Sequence, residues 1–224
     1  MFSYDVLRID PGPEVERISG MLREQVLGDL HRRGVVVGIS GGIDSSVVAS
    51  LAARAFGPER VLGLLMPERD SSDDSLRLGH LLAESLGIDV RVEAIDAVLD
   101  AYGCYERQAE AARMVFPEYG AGWRCKLVLP SLRGRERLNI PRIVAVDPAG
   151  TEHRERLNTT AFLQLVAATN FKQRTRMSVV YYHADRLNYA VAGTPNYLEY
   201  DQGFFVRQGD GAADVKPIAL SLIH

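Results

Sequence analysis

The sequence predicts an α/β fold: a doubly wound, mainly parallel sheet with helices on both faces. Three observations carry that prediction. Short β-branched apolar runs alternate with stretches whose apolar residues recur at helical spacing. The first run, Val35-Val36-Val37, passes into a pair of glycines and then a helical stretch, the strand, loop, helix order of parallel βαβ units. The chain has 224 residues, 46% of them hydrophobic, enough for one domain with a sizeable core.

The elements follow in order. Residues 15–30 have helical apolar spacing, with Pro13 near the start, and lead into a strand at 35–39. A helix over 47–56 follows the glycines. Residues 60–67 read as a second strand stopped by Pro67, and Ser71, Ser72, Asp73 and Asp74 offer a cap for a helix over 75–86 that Gly87 ends. Residues 88–95 alternate as a third strand. Helical spacing over 102–116 is followed by Pro117, Gly120 and Gly122, where the regular alternation breaks. Extended runs at 123–130, 142–146 and 151–157, the last two joined by the turn Asp147-Pro148-Ala149-Gly150, predict a small β-rich insertion over about residues 120–156. A long helical stretch resumes at Thr160, interrupted or re-capped at Asn170, and a strand at 189–192 completes the pattern. In such sheets ligands bind beyond the carboxyl ends of the strands, where residues 40–45 and Met66-Pro67 both fall.

The loop Gly38-Ile39-Ser40-Gly41-Gly42-Ile43-Asp44-Ser45 carries the most chemistry. Adjacent glycines let the backbone approach an anion, and the free N–H groups of the following helix supply donors. Ser40 and Ser45 add hydroxyls. Asp44 beside a polyphosphate is repulsive unless a divalent cation lies between them, so the loop predicts a metal-bound pyrophosphate. A Walker-type loop would need Lys where Ile43 stands. The plainer reading is a glycine turn with a Ser or Asp helix cap.

Three later blocks add to it. Lys172, Arg174 and Arg176 gather positive charge after Asn170, as a ligand with more than one phosphate requires, or as a basic solvent-exposed helix face does. Gly193-Thr194-Pro195-Asn196 reaches the same sheet edge, with Glu199 five residues after Thr194. Thr194 meets a nucleotide or caps a helix, and Glu199 joins Asp44 in a hard-cation site or is simply solvated. Residues 203–218 form a polar, glycine-rich loop, either a flexible turn or a binding element.

SGGIDS resembles the signature of the N-type ATP pyrophosphatases. With NFKQRTRM, GTPNYLE and GFFVRQGDGAADVKPI in this order and spacing, the chain resembles the ammonia-dependent NAD synthetases over most of its length. GMP synthetase and the tRNA-thiolating enzymes share the first block and lack the later three. The resemblance implies an adenine nucleotide alpha hydrolase-like fold and ATP-dependent amidation of deamido-NAD through an adenylated carboxylate. Gly38, Ile39, Ser40, Gly41, Gly42, Ile43, Asp44, Ser45 and Thr194 would bind ATP. Asp44, also the catalytic candidate, would hold Mg²⁺ with Glu199, and Arg174, Arg207 and Asp214 would bind deamido-NAD. Arg207 stands where the family commonly has Lys, which keeps the charge and changes the donor geometry. Family members lack so long an insertion and continue past the segment matching Lys216-Pro217-Ile218, so an enlarged middle and a missing C-terminal section are expected here.

Composition narrows the alternatives. Subtracting 29 acidic from 26 basic side chains gives −3, against a dedicated nucleic-acid binder. No apolar run reaches membrane-spanning length and the N-terminus lacks a signal peptide's regions, which predicts a cytoplasmic protein with no membrane partner. Cys104 and Cys125 read as ordinary thiols. Arg133, Arg135 and Arg137 contact RNA or a phosphate, or form a solvated face. Phe162, Leu165, Val166, Phe171, Val179 and Tyr182 exceed what one buried face of a helix pair needs, and with the family resemblance they predict a homodimer. No glutaminase or nitrilase segment is present, so the resemblance implies ammonia supplied free or by a separate protein. An amide ligase for a different carboxylate, or a nucleotide-binding chain without turnover, remain the other two readings.

Overall fold

A computed structural model describes residues 8–128 and 142–219. Two compact units divide the chain: Met1–Asp96 with Gln173–His224, and Ala97–Lys172.

The first unit is built on four parallel strands, β1 (Val35–Gly38), β2 (Val61–Leu65), β3 (Asp89–Val92) and β7 (Ala190–Ala192), in the order β3-β2-β1-β7. Val35 pairs with Val61 on one side and Ala190 on the other. β1, β2 and β7 are short and continuously apolar because both faces are covered, whereas β3 is largely exposed. Successive side chains point to opposite faces, and the core divides accordingly. Val35, Val37, Val61 and Leu65 pack with Ile18 of α1 (Pro11–Arg23), Val48 and Ala52 of α2 (Ile43–Phe56) and Ala83 of α3 (Asp73–Leu86). Val36, Leu62, Leu64 and Val191 pack instead against Val180 and Ala184 of α6 (Thr159–Leu187). Val35, Val36 and Val37 are fully buried, each worth about 1.5–3 kcal/mol relative to exposure.

Caps set the helix ends. Pro11 opens α1 behind Asp10, whose carboxylate accepts from the Gly12 N–H, and α1 runs on into a π-helical turn, Glu24–Asp29. Ser72 caps α3 at its start, and Gly87 ends it in the left-handed conformation, φ +67°. The side chain of His183 is nearly wholly buried. Its Nε2 donates to Glu93 Oε1 (2.9 Å) and its Nδ1 accepts from Arg186 Nε (3.0 Å), which ties α6 to the carboxyl end of β3.

The second unit holds α4 (Asp96–Ala101) from Ala97 on, α5 (Cys104–Arg113), the N-terminal half of α6 and an antiparallel sheet of β4 (Arg124–Val128), β5 (Arg142–Val146) and β6 (Glu152–Arg156). Ile143 and Ala145 of β5 face Ala111, Ala112, Phe116, Ala161 and Leu165. The turn between β5 and β6 is held by Asp147, which accepts from the Ala149 and Thr151 N–H groups and from His153. The hydrogen bond from His153, with those two N–H groups, holds the Asp147 carboxyl below its usual range. Cys104 is buried and Cys125 half-buried, and the two form no disulfide with each other.

Two sequence expectations change. The helical spacing over 102–116 corresponds to α5, and α4, which the sequence did not mark, precedes it across Gly103, whose φ is +71°. The helix predicted to break at Asn170 runs unbroken from Thr159 to Leu187, because the residues around Asn170 continue its buried stripe through Ala168, Lys172 and Thr175. Arg133, Arg135 and Arg137 lie outside the described residues. No described helix is long and apolar enough to cross a membrane.

Candidate functional site

β1 is the switch point of the sheet: the chain leaves it towards β2 on one side, and β7 joins on the other. Crevices open at the carboxyl ends of strands at such points. A cavity of about 350 Å³ lies there, in the size range of small-molecule sites. Gly38, Ile39 and Ser40 line it from β1, Met66 and Pro67 from β2, and Gly193 and Thr194 from β7. Its remaining wall comes from Ser71, Ser72 and Ser75 at the start of α3, from a stripe of α6, and from Asp210.

The glycine loop is folded on itself. The Ser40 N–H donates to Ser45 Oγ (3.2 Å), the Gly42 N–H donates to Ser40 Oγ (3.2 Å), and the two hydroxyls stand 3.1 Å apart. Ser45 Oγ also donates to the Gly42 carbonyl (3.0 Å). The serines therefore hold the loop's shape, while the N–H groups of Ile43, Asp44 and Ser45 open the helix with no intrahelical acceptor. Gly41 has φ +79°, and a Cβ there would stand 2.8 Å from the Ser75 carbonyl oxygen, so the loop lies directly on the start of α3. Asp44 is half-buried in the first turn of α2, and Ile43 is exposed.

The structure brings together part of what the sequence marks. Gly38, Ile39, Ser40 and Thr194 reach the cavity; Gly41, Gly42, Ile43, Asp44 and Ser45 form the loop beside it without lining it. Thr194 caps no helix, because Asn196 does so for α7 (Tyr197–Asp201). Glu199 completes that capping box: its Oε2 accepts from the Asn196 N–H (3.1 Å), and its own N–H donates to Asn196 Oδ1 (3.1 Å). Among the described residues no group of three or more His, Cys, Asp or Glu side chains is placed to hold a metal ion.

Arg174 and Arg207 come together, the Arg174 Nε donating to the Arg207 carbonyl (3.2 Å). Both side chains belong to exposed residues. Asp214 lies along the outer edge of β7. Its carboxylate accepts from the Val191 N–H (2.8 Å) and from the Tyr181 hydroxyl (3.3 Å), while the Asp214 and Val215 N–H groups donate to the Val191 carbonyl. Partial burial, with the Asp214 charge next in size, pushes the Tyr181 phenol up to about 12.

Gln173 is a cavity residue the sequence did not mark, and Arg176, marked only as one of three clustered cations, is the one of the three that lines the cavity. Gln173, Arg176, Met177 and Val180 line the cavity at helical i, i+3, i+4, i+7 spacing, one face of α6. The signal was the helical phase: Arg176 shares the stripe of Met177 and Val180, and Arg174 does not.

A parallel sheet that gathers a glycine-pair loop, a second helix start and a β7 loop around one crevice belongs to the doubly wound proteins that take their ligands at the carboxyl edge. Comparison with known proteins narrows this. A family model described as NAD synthase matches residues 14–129 and 136–222. The chain is 61% identical over 213 residues to the NH(3)-dependent NAD(+) synthetase of Mesorhizobium japonicum, covering 95% of this chain and 67% of that protein. It is 53% identical over 219 residues to that of Rhizobium meliloti, covering 98% and 65%. Among solved structures, the NH3-dependent NAD synthetase of Campylobacter jejuni aligns with TM-score 0.64 and 26% identity over 94% of this chain and 68% of that one. The NMN synthetase of Francisella tularensis, also at 0.64 but 24% identical, shares the fold. The chain belongs to the NAD synthase family, and it spans about two thirds of the length of these curated relatives.

Proposed function

We propose that the chain amidates deamido-NAD to NAD⁺ at the expense of ATP, through an adenylated carboxylate. The observation that carries the proposal is the cavity at the ends of β1, β2 and β7, where a glycine-pair loop and Thr194 border a largely apolar wall. A purine ring fits the apolar wall, and a triphosphate suits the open N–H groups at the start of α2.

The reaction then has two steps. A nicotinate carboxylate oxygen attacks the α-phosphorus of ATP, and the bond to pyrophosphate breaks. The nitrogen of free ammonia attacks the resulting acyl carbon, AMP leaves, and the surplus proton passes to solvent. The chain's residues position and neutralise. Loop N–H groups hold phosphate oxygens, and Thr194 contacts the nucleotide. Arg174 and Arg207, adjacent in space, take the charged groups of the dinucleotide. Asp44 has no hydrogen-bond donor among the described residues, and Glu199 keeps one oxygen outside its capping bond, so each carboxylate has an oxygen open to a hard cation that completes its shell with water and phosphate. Mg²⁺ held there would supply charge neutralisation for the polyphosphate.

The proposed setting is the cytoplasm, and the proposed assembly a homodimer through α6. Most apolar residues that suggested it are used within the chain: Leu165 and Phe162 pack in one core, Val179 in another, and Phe171 stacks on Tyr102. Tyr182, 65% exposed, stays available to a partner. Light scattering at micromolar concentration is expected to give twice the 24.7 kDa chain mass, and a uniform monomer removes the dimer.

The test of the activity is direct. The chain mixed with Mg-ATP, deamido-NAD and ammonium is expected to release AMP, pyrophosphate and NAD⁺ in equal amounts. AMP release with other carboxylic acids but not deamido-NAD would move the substrate, and nucleotide binding without AMP would leave a binding protein.

A further inference from the structure

The stripe of α6 that lines the cavity carries one charged residue, Arg176, and its guanidinium is turned towards the segment that follows β2. Arg176 Nε donates to the Met66 carbonyl at 3.4 Å, and Nη2 stands 3.9 Å from Glu68 Oε1. Both partners are well inside: the Arg176 side chain is 25% exposed and that of Glu68 6%. A carboxylate so buried is costly without a cation near it. Glu68 also organises its own turn. Its N–H donates to Ser71 Oγ (3.0 Å), its carbonyl accepts from the Ser71 N–H (2.8 Å), and its Oε2 accepts from the Asp70 N–H (3.4 Å).

That turn is a wall of the site. Met66, Pro67 and Ser71 face the cavity, Ser72 and Ser75 continue it into α3, and the Ser75 backbone is the surface on which Gly41 rests. A shift of the turn therefore changes the room beside β1 and the support of the glycine loop together. Arg174, on another face of the helix, reaches the 203–211 loop instead.

We infer that Arg176 is a positioning residue: acting through Glu68 and the Met66 carbonyl, it fixes the Met66–Ser71 turn and so sets the nucleotide side of the cavity. The nucleotide part of this rests on the function proposed above. A guanidinium contacting ligand directly would not need Glu68, and that difference makes the two roles separable.

The experiment is a double-mutant cycle on the full chain with Arg176→Met, Glu68→Gln and the pair, plus Arg176→Lys. Mg-ATP and deamido-NAD are titrated separately by calorimetry, and trypsin cleavage after the exposed Arg69 is timed without ligand. Each single substitution is expected to weaken Mg-ATP by about tenfold and to speed cleavage, with the pair no worse than the worse single, as coupled partners behave. Deamido-NAD affinity should stay within about twofold, and Arg176→Lys should fall between, keeping the charge but losing the Nε–H donor. A silent Glu68→Gln beside a damaging Arg176→Met, losses that add, or equal weakening of both ligands overturns the inference. If the wild-type chain binds no Mg-ATP, the proposed function falls, and cleavage after Arg69 still decides whether Arg176 and Glu68 brace the turn.

Discussion

Asp44 and Arg174 differ in residue type and placement, and the roles proposed for them differ accordingly. Asp44 lies in the first turn of α2, where its carboxylate helps hold the fold only through a modest helix-end effect of about 0.3–1 kcal/mol. Asp44→Ala is thus expected to abolish Mg-dependent pyrophosphate release while leaving the thermal midpoint nearly unchanged; retained turnover would remove Asp44 from the machinery. Arg174 offers a planar fork beside Arg207, and such a fork on a charged ligand group is worth about 1.5–3 kcal/mol. Arg174→Ala should weaken deamido-NAD about tenfold to hundredfold in calorimetry and spare Mg-ATP. Equal losses for both ligands would place Arg174 in the ATP site or in the fold.

At the scale of the element, the glycine loop shows why its sequence reads so clearly. Gly41 needs a positive φ and has no room for a side chain against Ser75. Gly41→Ala costs on the order of 1–3 kcal/mol in backbone strain alone and is expected to lower the thermal midpoint by about 5 °C, with loss of Mg-ATP binding. An unaltered midpoint would mean the loop relaxes freely. The alternation of strands and helices over residues 35–92 was legible for a related reason: β1 and β2 are buried on both faces and each helix on one, so apolar spacing tracks the fold. Elsewhere local signals conflict with tertiary ones. Asn170 has the chemistry of a cap, yet the helix around it is carried by buried neighbours on either side. Glu199 has the chemistry of a metal ligand and is also half of a capping box, a role its Asn-x-x-Glu spacing announced. Arg176 was not told apart from Lys172 and Arg174 because three cations in five residues read as one cluster, whereas a helix turns successive residues to different faces.

At the scale of the whole molecule, the main sheet has two ends, and they are finished differently. β3 is an exposed strand that carries Asp89 and Arg91, charged groups that discourage pairing with another chain. β7 is Ala190-Val191-Ala192, fully buried and without charge, the kind of edge that another chain can extend. It is closed from within. The Val191 N–H goes to the Asp214 carboxylate, its carbonyl takes two N–H groups, and Ala192 forms a parallel bridge to Val215. Asp214, which the family resemblance marks for the substrate, is thus also a guard on colloidal behaviour. Asp214→Ala is expected to leave the strand's amide unsatisfied and to raise light scattering steeply when the denatured chain is diluted into buffer, before any ligand is added. A variant that refolds as clear as wild type would confine Asp214 to ligand binding. The same side chain would then separate two failures that an activity assay confuses, because an enzyme lost to precipitation and an enzyme lost to a missing contact both read as zero.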